Sequence, residues 1–482
     1  MQKHTDPHTE GLPHRKPAAG DLSPQGGDGA DGVKQPDPPQ LVRGIGLWQA
    51  TSLNVANMIG VGPFITIPLF LQTMGGPQAL VGWLAGAVLV LCDGLVWSEL
   101  GAALPGSGGT YHYLREIFGR LPGGRLLPFL FIWQFLLSGS LELASGYIGA
   151  AGYLNYALPG LNETLAEWHV PHAHHMVAAA LALAVAAALC RPVRSIGRLG
   201  LVMCGGTLLT VLTIIVAGFW HFNAALVTLP EGAWRLDRGF ALGLGGAMTI
   251  AVYDYLGYYN ICHLGEEVRD PGRTIPRAVI GSVLIVAALY LLMNLAIIGV
   301  VPWQEAMRSQ HIGVDFIERL FGSRAAAAFA WLIIWTALAG TFAMTLGYSR
   351  IAYAAARGGD FFGSFAWLHP VHRYPAISLF AIAGLTAVAC FFPLEQLIDA
   401  AVVVRIAVQF IGQIAALHVL RTTRPETPLP FRMWLYPLPA LMALLGWLFI
   451  LSTRSGWMLR GAAAVVGIGC VVYALWRSRR RD

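Results

Sequence analysis

The chain has 482 residues, of which 56% are hydrophobic and 12% charged, about half the share of roughly 25% charged residues in an ordinary soluble domain. A soluble fold of this size could not cover its surface with so few charges, and a net charge of +6 spread along the chain gives no nucleic-acid-binding patch. That leaves a polytopic membrane protein, in keeping with a mean hydropathy of +0.58. Apolar runs longer than about 18 residues indicate membrane helices rather than the alternating segments of about 10 residues of a barrel.

Residues 1–42 are polar and rich in Pro, Gly, His and Asp, with no apolar core of a secretory signal, and read as a disordered cytoplasmic tail. Twelve apolar spans follow, at about 45–72, 78–103, 126–157, 174–190, 199–222, 240–264, 277–301, 324–354, 375–393, 396–420, 433–452 and 459–476. With the N-terminus inside, 24 of the 32 basic residues fall on cytoplasmic segments and seven on outside loops, while Arg405 lies within a span. This asymmetry predicts an integral, multi-pass membrane protein with both termini cytoplasmic. The six cysteines all lie in or beside apolar runs, so no disulfide framework is expected.

Span 1 contains Asn54, Asn57, Ile59, Gly60, Val61, Gly62 and Pro63 near its middle. Glycine is a weak helix former, and proline removes a donor and clashes with the preceding turn, so an interruption is predicted there. Broken backbone at that depth requires a cavity or protein around it. The half-helix starting at the break would point free N–H groups toward an anion such as a carboxylate. Span 6 has a second weak point at Tyr253, Asp254, Tyr255, Leu256 and Gly257. The two breaks correspond if residues 43–222 and 238–420 form two five-helix halves, the second inverted. Paired breaks of this kind mark the binding site of a transporter. Close helix packing through glycine is the competing explanation. Residues 432–477 supply two further helices and 478–482 a cytoplasmic end.

Residues 60–64 (GVGPF), 98–111 (SELGAALPGSGGTY), 265–278 (GEEVRDPGRTIPRA) and 349–359 (SRIAYAAARGG) resemble the signatures of the amino acid–polyamine–organocation permease family. The resemblance runs in order from about residue 45 to 430. It implies an all-α membrane fold of the leucine-transporter type: twelve helices, an inverted five-plus-five repeat, two C-terminal helices, and helices 1 and 6 discontinuous. It also implies secondary transport of amino acids or related amines by alternating access. On this resemblance, backbone N–H groups of Gly60, Val61 and Gly62 would hold a carboxylate. Carbonyls of Ile59 and of the Tyr253–Leu256 region would hold an ammonium. The Gly-Pro-Phe form of the break is also similar to that of plant-type polyamine transporters. Two departures stand out. The acidic residue of the second break, Asp254, is shifted by two positions from members that carry one, and the helix-5 lysine that replaces a sodium ion in many members has no counterpart near Thr207.

Ionisable groups inside spans are costly and are functional candidates by default. Asp254 reads as a counter-charge for an ammonium or a proton site, or as a cap on the freed backbone. Glu142 in span 3 reads as a proton carrier or a cation site, or as a neutral, hydrogen-bonded carboxyl. Asp93 reads as structural. Arg405 needs an acidic partner across helices, with Glu142 and Asp93 as candidates. Glu99, Glu267, Arg273, Arg350 and Arg405 are assigned to gate or scaffold, and Thr341 with Gly60 to a possible sodium site. Proton coupling is preferred, with substrate exchange and a non-transporting nutrient sensor as alternatives. No cofactor and no metal are expected, since the loop histidines (169, 172, 174, 175) lack a ligand set. No nucleophile–base set or nucleotide motif suggests an enzyme. The loop 155–175 has no cysteine, so no disulfide-linked heavy chain is expected. The partners are then the lipid bilayer, a small amino acid or amine, and a coupling ion.

Overall fold

The computed structural model describes residues 43–167, 171–190, 193–372 and 374–479. The expected tail at 1–42, His169 and residues 480–482 lie outside the described residues. The chain is all-helical there, and its only bridges outside helices join Ile45 to Val268 and Ser107 to Leu264.

In chain order the helices are α1 (Leu47–Met58), α2 (Gly62–Met74), α3 (Leu80–Ala103), α4 (Thr110–Phe118), α5 (Leu126–Ala157), α6 (Leu161–Glu167), α7 (Ala173–Ala188), α8 (Val193–Trp220) and α9 (Arg238–Tyr255). They continue as α10 (Pro271–Ile298), α11 (Trp303–Ala306), α12 (Ile312–Phe321), α13 (Ser323–Arg357), α14 (Ala376–Ala389), α15 (Leu394–Arg405), α16 (Gly412–Thr423), α17 (Leu438–Ser452) and α18 (Gly456–Ser478). Among the described residues, seven continuous helices are long and apolar enough to cross a membrane, and the pair α1 and α2, bent by 52°, makes an eighth. The helices α7, α14 and α17 are apolar but shorter.

Many large apolar side chains face outward, among them Leu209, Val216, Leu385, Val388, Leu445 and Ile468. A soluble protein rarely exposes so much apolar surface, whereas a bilayer is its natural solvent. The buried polar residues lie on the inner faces instead: Asn54, Asp93, Glu99, Glu142, Asp254 and Arg405 are all 5% exposed or less. This division positions the site. The long helices α5 and α13 pack along each other, α1 lies against α10, and α2 against α9. Both interrupted segments are thereby enclosed by protein.

Candidate functional site

The first interruption is a three-residue unwinding. The helix α1 stops at Met58, the Gly60 N–H turns back to the Met58 carbonyl at 3.0 Å, and the Phe64 N–H closes the first turn of α2 onto Val61 at 2.9 Å. Pro63 sits in the first turn of α2, where its missing N–H costs no hydrogen bond. The proline that breaks the span therefore also starts its second half. Of the three expected donors, Gly60 is engaged by Met58, which leaves Val61 and Gly62 at the start of α2.

The second interruption follows Tyr255. Leu256 turns extended and Gly257 takes φ +108°, a left-handed conformation that favours glycine. The chain then runs through a short 3-10 turn, Asn260–His263. Asn54 of α1 satisfies the loosened backbone: its Nδ2 donates to the Tyr258 carbonyl at 2.6 Å, and its Oδ1 accepts from the Ile261 N–H at 2.9 Å. Tyr290 of α10 ties the two breaks together. Its hydroxyl donates to the Met58 carbonyl at 2.7 Å and lies 3.3 Å from the Asp254 carbonyl.

Between the breaks is a cavity with about 40 Å³ of free volume, room for a few waters. Gly60, Val61, Gly62, Tyr253, Asp254 and Leu256 line it from the breaks, and Glu142 and Gly146 from α5. The helix α13 closes the far wall with Ala337, Gly340, Thr341 and Met344, whose spacing puts them on one helical face. Ile59, Pro63, Tyr255 and Gly257 flank the cavity without lining it. The Tyr255 ring packs instead against Trp83 and Tyr290. The Thr341 hydroxyl is bonded back to its own helix, to the Ala337 carbonyl at 3.0 Å. Tyr253 bonds across to Ser145 of α5 through its hydroxyl.

The two carboxylates on the wall differ in their partners. Glu142 Oε2 accepts from Arg405 at 2.5 Å and from the Tyr348 hydroxyl at 2.7 Å. Asp254 Oδ2 accepts from Thr66 Oγ1 at 2.6 Å, while Oδ1 is buried without a partner among the described residues. Asp93 accepts from Tyr258 and, at 3.1 Å, from Trp447 Nε1, a fully occupied structural position.

The remaining candidates lie toward the end of the molecule formed by residues 98–111 and 265–278. Glu99 binds Arg421 through both oxygens, at 2.6 and 2.7 Å, and accepts from the Met433 N–H at 2.7 Å. Burial raises the Glu267 carboxyl above its ordinary range, and the charge of Arg350 works against that. The Arg350 guanidinium donates to the Leu346 carbonyl at 2.7 Å. Arg273 forms no ion pair among the described residues. The Glu267 carbonyl accepts from Gly44 and Ile45, which docks the start of α1 onto this loop.

Sequence reasoning did not single out Thr66, Tyr290 or Asn57, and of the α13 face it named Thr341 alone. Thr66 and Asn57 carried a signal, because each is a polar side chain in an apolar run. Tyr290 and the rest of the α13 face carried none, since only packing decides which face of an apolar helix meets a cavity.

Two helix interruptions facing one buried cavity are the mark of a carrier. The model of the family described as amino acid permease matches residues 45–466, and the chain belongs to that family, within the amino acid–polyamine–organocation permeases. It is a membrane transport protein and not an enzyme. The chain is 28% identical over 481 residues to large neutral amino acids transporter small subunit 2 of Homo sapiens, an alignment covering 96% of this chain and 84% of that protein. It is 28% identical over 466 residues to Asc-type amino acid transporter 1 of Mus musculus, covering 91% of this chain and 82% of that protein. A third relative, cationic amino acid transporter 4 of Mus musculus, is 27% identical over 377 residues, covering 74% of this chain and 57% of that protein.

Proposed function

We propose that the chain is a secondary transporter that moves amino acids or related amines by alternating access, with its ligand held between the two breaks. The observation that carries this is the convergence of Gly60–Gly62 and Tyr253–Leu256 on one buried cavity, in a chain whose relatives are named as amino acid transporters. The eight membrane-length spans, the three shorter apolar helices and α9 together supply the twelve helices of this reading. The breaks then fall in the first helix of each five-helix half, 43–222 and 238–420, with α17 and α18 appended and both termini cytoplasmic.

The coupling ion in this reading is a proton. Glu142 is neutralised by Arg405, so Asp254, which has no cationic partner among the described residues, is the carrier we favour. One relative is named as a small subunit. The loop 155–175 has no cysteine to offer such a partner a covalent link, and none is part of this reading.

The test is uptake of labelled amino acids and amines into proteoliposomes containing the full-length protein under an imposed pH gradient. Accumulation that follows the gradient supports the proposal. Uptake that ignores the gradient and rises with preloaded substrate replaces proton coupling by exchange. Ligand binding without any uptake or exchange discards the carrier in favour of a sensor.

A further inference from the structure

The start of α2 would attract an anion, and the chain's own carboxylate already stands there. Asp254 Oδ1 lies so close to Gly62 that a Cβ at that position would come within 2.2 Å of it. Thr66, one turn into α2, holds the other oxygen at 2.6 Å. Asp254 is 2% exposed, and Oδ1 is left without a partner on the cavity wall. The start of a helix favours an acidic group, and Asp254 takes the place that a ligand's carboxylate would seek.

The charge balance of the wall points the same way. Glu142 is cancelled by Arg405 at 2.5 Å, and no Lys, Arg or His pairs with Asp254 among the described residues. The wall offers no free cation to a second carboxylate, which would instead lie a few ångström from Asp254 in surroundings that screen charge poorly. Nor can Pro63 donate, having no N–H. An ammonium meets the opposite situation, with an unpartnered carboxylate oxygen to receive it and carbonyls freed by the two breaks nearby.

We infer that the cavity takes primary amines lacking an α-carboxylate, with Asp254 Oδ1 accepting from the ligand's ammonium, and that it disfavours the amino acids of matching side chain. This rests on the reading of the cavity as the ligand site.

The probes are two matched pairs: 3-methylbutylamine with leucine, and 1,5-diaminopentane with lysine. Binding is measured by titration calorimetry on the full-length protein in detergent, and counterflow in proteoliposomes. At least one amine is expected to bind about tenfold or more tightly than its amino acid. The isosteric Asp254→Asn variant, checked for an unchanged gel-filtration profile, is expected to lose at least about tenfold in amine affinity. The wild-type comparison needs no variant and decides the matter if Asp254→Asn does not fold. The inference is overturned if neither amine binds, if both amino acids bind as tightly as their amines, or if Asp254→Asn binds amines unchanged. Counterflow of leucine or lysine but of neither amine overturns it while leaving the carrier intact. Selective amine binding without counterflow does the reverse.

Discussion

Arg405 of α15 and Glu142 of α5 meet at 2.5 Å, with 0% and 4% of their side chains exposed. The guanidinium uses its other donors as well, Nε toward Ser138 Oγ at 3.0 Å and one terminal nitrogen toward the Tyr259 hydroxyl at 3.2 Å. It also lies over the Phe135 ring at 5.2 Å. Immediately beyond Arg405 the chain widens into a π-helical turn, Ile406–Ile411, before α16 resumes. Such turns are rare and concentrate at functional sites. Here the arrangement links α5, α13 and α15 to Tyr259, which belongs to the unwound stretch after α9. Arg405 thus braces the second break from behind the cavity wall while neutralising one of its two carboxylates.

Breaking a buried pair leaves one charge uncompensated, at a cost of about 3–5 kcal/mol. Arg405→Gln should therefore lower the thermal unfolding midpoint in detergent strongly. Glu142→Gln should lower it too, since it strands the guanidinium. The double variant Arg405→Leu, Glu142→Leu removes both charges and should be more stable than Arg405→Gln alone. A double variant less stable than either single substitution would mean that the hydrogen bonds to Ser138 and Tyr259, not the charge pair, hold this region.

Gly62→Ala would place a Cβ 2.2 Å from Asp254 Oδ1, so the carboxylate must move off the start of α2. Overpacking of this kind costs about 1–3 kcal/mol, and here it also disturbs the group proposed to meet the ligand. Uptake should fall well below that of the wild type at equal amounts of folded protein. Adding Asp254→Ala should recover stability without recovering amine uptake. Wild-type uptake by Gly62→Ala would show that the contact between Gly62 and Asp254 has no part in transport.

What could be read in advance divides along a physical line. Residues 60–63 announce a break because backbone propensity is local: two glycines and a proline weaken a helix wherever they stand. Asp254 and Glu142 announce themselves because charge in an apolar run is expensive whatever surrounds it. Partner choice is not local. Arg405 demanded an acid, and only the packing of α15 against α5 selects Glu142 over Asp93, which is instead occupied by Tyr258 and Trp447. Asp399, also on α15, pairs at 3.2 Å with Arg454 in the turn between α17 and α18. The far wall of the cavity on α13 was out of reach apart from Thr341. Ala337, Gly340 and Met344 are unremarkable in a membrane helix, and which face they share with a cavity is decided by the neighbouring helices.

The clasp between Glu99 and Arg421 distinguishes gate from scaffold. Arg421 grips both carboxylate oxygens, and its guanidinium lies over the Tyr436 ring at 3.8 Å. Lysine cannot reproduce the fork or the stacking. Arg421→Lys should cost about 1.5–3 kcal/mol, the worth of charge-assisted hydrogen bonds, seen as a lower unfolding midpoint. All of these contacts join α3, α16 and the segment leading to α17, none of which is interrupted at the cavity. Uptake per folded molecule is therefore expected to stay within about twofold of wild type, a change of under 1 kcal/mol in barrier. A much larger change in rate with an unchanged midpoint would make the clasp a gate.

Asn54 is the side chain that holds the second break in its open form. It donates to the Tyr258 carbonyl and accepts from the Ile261 N–H, two groups that a continuous helix would have paired within itself. Its amide also lies 3.3 Å from Ser282 Oγ of α10, so one residue joins α1, α10 and the unwound stretch. Asn54→Leu keeps the branched shape and removes both bonds, leaving a donor and an acceptor buried and unsatisfied. At about 1–3 kcal/mol for each such group, the variant should unfold at a clearly lower temperature. Asn54→Asp retains the acceptor for Ile261 but not the donor for Tyr258, so hydrogen exchange in detergent should show residues 256–263 less protected than in the wild type. Exchange in Asn54→Leu should be faster still over the same residues, with the interior of α5 unaffected. If protection over residues 256–263 is unchanged in both variants, the break is held by its own backbone and not by Asn54.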